Sequence, residues 1–137
     1  MPTLTKIIRQ TEFFPSVAPL KIYEALLDGR KHSKMTGSKA TGSAHVGSTF
    51  TAWDGYISGT NLELDPGKRI LQEWRTTEWP EGAAPSHLEW TFVEKDGGTE
   101  VTLVHTKVPA GQVESYRQGW IDYYWAPMKE YFETAAV

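Results

Sequence analysis

The stretch Gly111–Ala136, GQVESYRQGWIDYYWAPMKEYFETAA, decides how the rest of the chain is read. Within it Val113, Tyr116, Trp120, Tyr124, Met128 and Tyr131 recur at intervals of three and four residues, which makes one face of a helix apolar along its length. Ile121, Trp125, Met128 and Phe132 form a second row that widens the stripe. So broad and aromatic a face needs a large partner, and the middle of the chain offers only strands. The spacing predicts an α+β fold in which a curved antiparallel sheet of about six to seven strands wraps a long C-terminal helix. A cavity is expected where the aromatic rings meet the concave sheet. Pro127 removes one intrahelical hydrogen bond and crowds the preceding turn, so a bend is expected there in preference to a helix that starts only at Pro127. Gly111 and Gln112 open the helix, and Gly119 beside Trp120 suggests close approach to a strand.

Upstream, the elements follow from punctuation. Leu4 to Phe14 reads as a first strand ended by Pro15. Pro19 suits the first turn of a helix, and Leu20, Tyr23, Leu26 and Leu27 follow at helical spacing. Asp28-Gly29 closes that helix, and Asp28 can cap a second one from Arg30 to Met35, which Gly37 terminates. Strands are expected over Ser48–Trp53 and Tyr56–Leu64 across the Asp54-Gly55 turn, then over Lys68–Thr77 after Asp65-Pro66-Gly67. Trp79 to Pro85 holds two prolines and a glycine, which makes it a longer loop. His87–Glu94 then pairs with Thr99–Lys107.

Size and charge narrow the function. The 137 residues are one domain's worth, read as a single unit over 1–137, and large enough to bury a core without staples. With no cysteine, neither disulfides nor thiolate metal sites are possible, and no two histidines stand three or four apart, so no metal or other cofactor is expected. No apolar run approaches a membrane span and the N-terminus carries no cleavable leader pattern, which makes a cytoplasmic protein the expectation. The net charge of −3 argues against a nucleic-acid binder. That charge is uneven: residues 1–48 carry +4 and residues 49–137 carry −7. The local basic group Arg30, Lys31, Lys34 and Lys39 is either a solvated helix face or a docking patch.

Strand parity picks out the candidate site. Ile70, Gln72 and Trp74 share one face, as do Leu88, Trp90 and Phe92, and Val101, Leu103 and His105. These faces set Trp74, Trp90, Gln72 and His105 against Trp120 and Tyr124 of the helix, with Phe50 and Tyr56 completing the candidate ligand-binding set. His105 is either a core histidine bonded to a neighbour or a polar anchor for a ligand. Gln72, with four hydrogen-bonding sites to satisfy, either pairs with His105 or the helix or orients a ligand. Arg75 faces the other way, where pairing with Glu89 or Glu94 and stacking on Trp79 compete with partner recognition. Trp53 and Trp79 stand at loop edges, where exposure would mark a partner-binding surface. No nucleophile motif or phosphate loop occurs, and the one acid–base pair conceivable across a cavity is Glu12 with His105. No catalytic residue is assigned.

The order of elements resembles the helix-grip arrangement of the START and birch-pollen-allergen superfamily. A narrower resemblance rests on Phe50-Thr51-Ala52-Trp53-Asp54-Gly55-Tyr56-Ile57-Ser58-Gly59, Leu62-Glu63-Leu64, Ile70-Leu71-Gln72-Glu73-Trp74-Arg75 and Trp79-Pro80-Glu81-Gly82. It continues through Gly119-Trp120, Tyr124 and Pro127-Met128-Lys129-Glu130-Tyr131-Phe132. Together these resemble the C-terminal domain of the activators of Hsp90 ATPase, from about Ile7 to Phe132. The eukaryotic activators carry a separate N-terminal domain that makes the main chaperone contact, and its Asn-Asn-Trp-His-Trp motif does not occur here. The resemblance therefore implies the fold, within a family that has many stand-alone members, more than it implies chaperone activation. The function expected first is a binding domain for a small hydrophobic molecule. The second is an interaction module for an Hsp90-type chaperone, and the third is a cyclase-type enzyme. Monomer and homodimer are both open.

Overall fold

The computed structural model describes residues 5–135. The chain runs β1 (Thr5–Phe14), α1 (Pro19–Leu27), α2 (Gly29–Thr36), β2 (Thr49–Ala52), β3 (Ile57–Asp65), β4 (Arg69–Thr76), β5 (Ser86–Lys95) and β6 (Gly98–Pro109). A 3-10 turn (Ala110–Gln112) leads into α3 (Val113–Trp120), a π-helical stretch (Ile121–Trp125) and α4 (Ala126–Ala135). The strands form one antiparallel sheet in the order β1-β6-β5-β4-β3-β2. The architecture is α+β, a sheet gripping the C-terminal helical run. Leu4 and Ala136, the expected ends of the first strand and last helix, lie outside the described residues. None of the described helices is long and apolar enough to cross a membrane.

Local chemistry explains the elements. Pro19 begins α1 where its missing N–H costs nothing, and Ile22, Tyr23, Ala25, Leu26 and Leu27 turn inward. Leu20 does not; it is exposed. The Asp28 side chain accepts from the Lys31 N–H at 3.0 Å, and Gly37 ends α2 with φ of 81°, a left-handed value suited to glycine. Bulges between Lys6 and Ile8 of the edge strand β1 and between Asn61 and Glu63 of β3 interrupt the ladder, where an extra residue bends the strand. Gly59 pairs with Phe50, and the ring covers it so closely that a Cβ there would lie 2.5 Å from Phe50 Cζ.

The parity reading holds throughout the three central strands. Ile70, Gln72 and Trp74 of β4, Leu88, Trp90 and Phe92 of β5, and Val101, Leu103 and His105 of β6 are all buried. Against them lie Val113, Tyr116, Trp120, Tyr124, Trp125, Met128 and Phe132. Two expectations for the helix need correction. Ile121 is exposed and faces away from its expected row. The irregularity imposed by Pro127 takes the form of a π turn just before it, in which the Ala126 N–H reaches back to the Ile121 carbonyl. Widening that turn relieves the crowding between the proline ring and the carbonyl four residues earlier. It also rephases the helix so that Trp120, Tyr124 and Trp125 are all buried while Tyr123 is left outside.

Candidate functional site

A cavity of about 490 Å³ opens between the C-terminal helical run, the β2–β3 turn and the end of β4. Its deep side is Trp74, Trp120 and Tyr124, each buried. Tyr56 and Ile57 line it from the start of β3, and Tyr116 and Gly119 from α3. Trp53 and Tyr123 complete the entrance, meeting edge to face with ring centroids 5.1 Å apart, and Glu78 stands exposed beside them. Gly119 does not mark close approach to a strand, as the sequence suggested. A Cβ built there meets only Tyr123, at 3.9 Å, so the missing side chain leaves room on the cavity wall.

The backbone at the entrance is unusual. Trp53 and Asp54 have φ of 51° and 56°, left-handed values for non-glycine residues, and Gly55 follows at 87°. Among the described residues, Trp53 Nε1 is the buried side-chain polar atom without a hydrogen-bond partner. Three other hydroxyls around the cavity are hydrogen-bonded. The Tyr56 hydroxyl donates to Glu78 Oε2 at 2.5 Å, and the Tyr116 hydroxyl donates to Gln112 Oε1 at 2.6 Å. The Thr76 hydroxyl lies 2.6 Å from the Tyr116 oxygen, which accepts from it. Burial raises the phenol pKa of Tyr56, with the bond to Glu78 adding to it, and burial likewise raises those of Tyr116 and Tyr124. These phenols are neutral donors.

Between the short helices and the C-terminal run there is little space. His32 of α2 receives the Tyr124 hydroxyl on Nε2 at 2.9 Å and gives its Nδ1 proton to the Leu26 carbonyl at 3.0 Å. Burial holds its pKa below the usual histidine value. What remains is a void of about 20 Å³ touching Phe50, Gln72 and Trp90, about the room one water needs.

The expected residues therefore divide. Tyr56, Trp74, Trp120 and Tyr124 line the large cavity; Phe50, Gln72 and Trp90 border the small void. Gln72 pairs neither with His105 nor with the helix: its Nε2 donates to Asn61 Oδ1 at 2.9 Å, and Asn61 in turn donates to the Ser43 and His45 carbonyls. His105 lies outside both spaces and is fully committed. Ser86 Oγ donates to the Trp74 carbonyl at 2.7 Å, so it accepts the Nε2 proton of His105 at 2.7 Å. His105 Nδ1 accepts from Trp120 Nε1 at 3.2 Å. Burial drives its pKa down to about 3. Every nitrogen is used in the neutral form, which leaves no anchor for a ligand and no acid–base pair with Glu12. That carboxylate lies 3.6 Å from Lys129 instead.

The outer-face residues also sort themselves. Trp79 is buried, stacks on Tyr116 at 6.0 Å and donates Nε1 to the Ala84 carbonyl at 2.9 Å, so it offers no exposed ring. Trp53 is half-buried at the cavity entrance. Arg75 sits opposite Ser58 of β3, and the cation that takes Glu89 is Arg69, at 2.6 Å. Ile57, Glu78, Tyr116, Gly119 and Tyr123 are the cavity residues absent from the expected set. Tyr116 could have been found from the helical stripe. Glu78 and Tyr123 had no periodic signal, since both lie outside the buried faces.

Comparison with known proteins gives a consistent picture. Residues 16–133 match the family described as activator of Hsp90 ATPase homolog 1-like protein. The chain is 33% identical over 136 residues to the human activator of 90 kDa heat shock protein ATPase homolog 1, covering 99% of this chain and 39% of that protein. It is 32% identical over 117 residues to the Dictyostelium discoideum activator homolog, covering 85% of this chain and 30% of that one. The chain thus spans under half the length of these relatives. Among solved structures, an HSP90 activator from Plasmodium falciparum superposes with a TM-score of 0.82 at 22% identity, over 95% of this chain and 96% of that one. The Aha1 dimer from Colwellia psychrerythraea gives 0.75 at 18%, over 88% and 92% of the two chains. Ara h 8.0201 gives 0.69 at 14%, over 96% and 99%. At these identities the structures establish the shared helix-grip fold.

Proposed function

We propose that this chain, which belongs to the activator of Hsp90 ATPase homolog 1-like family, is a binding domain that holds a small, largely apolar molecule between its sheet and its C-terminal helix. The observation that carries this reading is the cavity of about 490 Å³ walled by aromatic rings. Its volume lies within the ~300–1,000 Å³ usual for ligand pockets. No catalytic role is proposed, because the histidine expected to face the cavity is locked into the core.

Gly119 supplies the test. A Cβ there meets no backbone, so a leucine is expected to extend over the cavity wall, and exchanging a helical glycine for a good helix former favours folding by up to about 1 kcal/mol. An apolar fluorescent probe should bind the parent at 1:1 stoichiometry and quench tryptophan emission. Gly119→Leu should weaken binding at least tenfold with Tm unchanged or raised. Retained affinity in a folded Gly119→Leu protein would place the probe elsewhere and sink the reading. Trp120→Ala is a poorer test, because it strips His105 of its Nδ1 donor as well as removing cavity wall.

A second reading is supported by the sequence match to the human activator. Under it the domain is an interaction module for an Hsp90-type chaperone. Adding this chain alone to such a chaperone should raise its ATPase rate by less than about twofold; a large, saturable stimulation would put the chaperone reading first.

A further inference from the structure

The cavity's lining has an unusual chemical balance. Rings of Trp53, Tyr56, Trp74, Tyr116, Trp120 and Tyr123 surround it, and no lysine, arginine or histidine joins them. The one charged side chain in the lining is Glu78. Its Oε2 is held by the Tyr56 hydroxyl at 2.5 Å, and it forms no ion pair among the described residues. An anionic head group would find no cation here, the hydroxyls of Tyr56, Tyr116 and Tyr124 already donate to Glu78, Gln112 and His32, and the unpartnered Trp53 Nε1 is buried. A cationic head group would find both partners it needs. Aromatic faces carry negative electrostatic potential and attract ammonium groups, above all quaternary ones that shed their water easily. The carboxylate at the rim adds direct charge attraction, and residues 49–137, which furnish the whole lining, carry a net −7.

We propose that the cavity selects an organic cation: a molecule with a quaternary or alkylated ammonium head and an apolar body, the head lodged among the aromatic rings beside Glu78. This rests on the cavity reading above and names the class of occupant within it. The Tyr56–Glu78 bond fixes the carboxylate at the rim, where the T-shaped Trp53–Tyr123 pair also stands.

A pair of isosteres separates the charge from the shape. Phenyltrimethylammonium and tert-butylbenzene have the same outline and differ by one positive charge. In tryptophan-quenching titrations at about 0.15 M salt, the cation should bind the full chain at least tenfold more tightly, about 1.4 kcal/mol. Glu78→Gln keeps an oxygen to accept from Tyr56 and should cut that advantage to threefold or less, with folding verified by thermal melting. Decanoate, as the anionic arm, should bind more weakly than either. If tert-butylbenzene binds as well as the cation, or decanoate binds best, the cationic preference is overturned while the cavity reading stands. If none of the three binds, both fall. A tenfold preference that survives in Glu78→Gln would overturn the role given to that carboxylate.

Discussion

At the α4 end of the C-terminal helical run, Trp125 and Phe132 close on Phe14 at 6.2 and 5.9 Å, Trp125 meets Trp90 at 5.6 Å, and Met128 is fully buried between them. At the α3 end, Tyr116 and Gly119 line, with Tyr56 and the Trp53–Tyr123 pair, a cavity of about 490 Å³. Both ends are rich in aromatic rings, so ring content does not decide which is solid. Two other things do. The solid end is pinned to β1 by polar bonds: Trp125 Nε1 donates to Gln10 Oε1 at 2.7 Å, and Lys129 donates to the Phe13 carbonyl at 2.8 Å. The hollow end has glycine on its wall, and its entrance is a turn with left-handed non-glycine residues. One end is built to hold together, and the other keeps its room at some cost in packing.

The broadest way to break this comparison is to remove the run altogether. A chain ending after Gln112 should lose cooperative unfolding, because Ile70, Leu88, Trp90 and Leu103 would lose their cover. A sharp thermal transition with intact near-UV tryptophan signal in that truncation would deny the helix its organising role. Within the full chain the two ends should respond unequally. Met128→Ala, at a site with no exposure, should cost about 2–5 kcal/mol by urea unfolding. Tyr123→Ala, at 55% exposure, should cost about 1 kcal/mol or less. Equal losses would mean that the cavity entrance is as much core as the α4 end.

Acid sharpens the contrast differently, through the histidines that fill the middle. His105 and His32 both have folded-state pKa values lowered by burial, that of His105 to about 3. The unfolded chain binds protons at these positions from about pH 6.5 downward, while the folded chain resists them. Stability contributed by keeping them neutral is therefore complete above about pH 6.5 and is lost as pH falls toward the folded values. For His105 the slope is about 1.4 kcal/mol per pH unit in that window, and His32 adds in the same direction. His105→Gln should flatten the dependence between pH 6.5 and 5 by about one proton's worth, whatever its effect at pH 7. An unchanged slope would mean that His105 titrates alike in both states.

Much of this was legible from residue order. Alternation in Ile70-Leu71-Gln72-Glu73-Trp74 and in Leu88-Glu89-Trp90-Thr91-Phe92 named the inner faces, and the Asp28 cap and Gly37 stop placed α2. The site was legible only in part, for physical reasons. His32 sits in the polar helix GRKHSKMT, whose composition signals surface; only its spacing of three from buried Met35 hints at an inward face. Gln72 was readable as buried, but its partner Asn61 lies at a bulge, where parity stops being a guide. Regular helical spacing put Tyr124 and Trp125 inside correctly but misplaced Ile121, which is exposed at the start of the π turn that no spacing rule announces.

The smallest expected effect separates two tryptophans on the cavity side of the molecule. Trp79 and Trp53 flank β4 and β2, and they differ in one hydrogen bond: Trp79 Nε1 donates to the Ala84 carbonyl, whereas Trp53 Nε1 is buried without a partner. Replacing either by phenylalanine removes the N–H and part of the ring area. At Trp79 the change also strips the Ala84 carbonyl of its donor, so the loss should be about 1–3 kcal/mol from the bond and the area together. At Trp53 the substitution removes an unsatisfied donor, whose burial itself costs about 1–3 kcal/mol, and this offsets the lost area. Trp53→Phe should therefore change stability by about 1 kcal/mol or less in either direction, and Trp79→Phe should be the more damaging of the two. Urea midpoints of the paired variants decide it. If Trp53→Phe proves the costlier, its indole N–H is satisfied in solution and the entrance is better packed than its geometry indicates. If the predicted order holds, the entrance carries a buried donor without a partner.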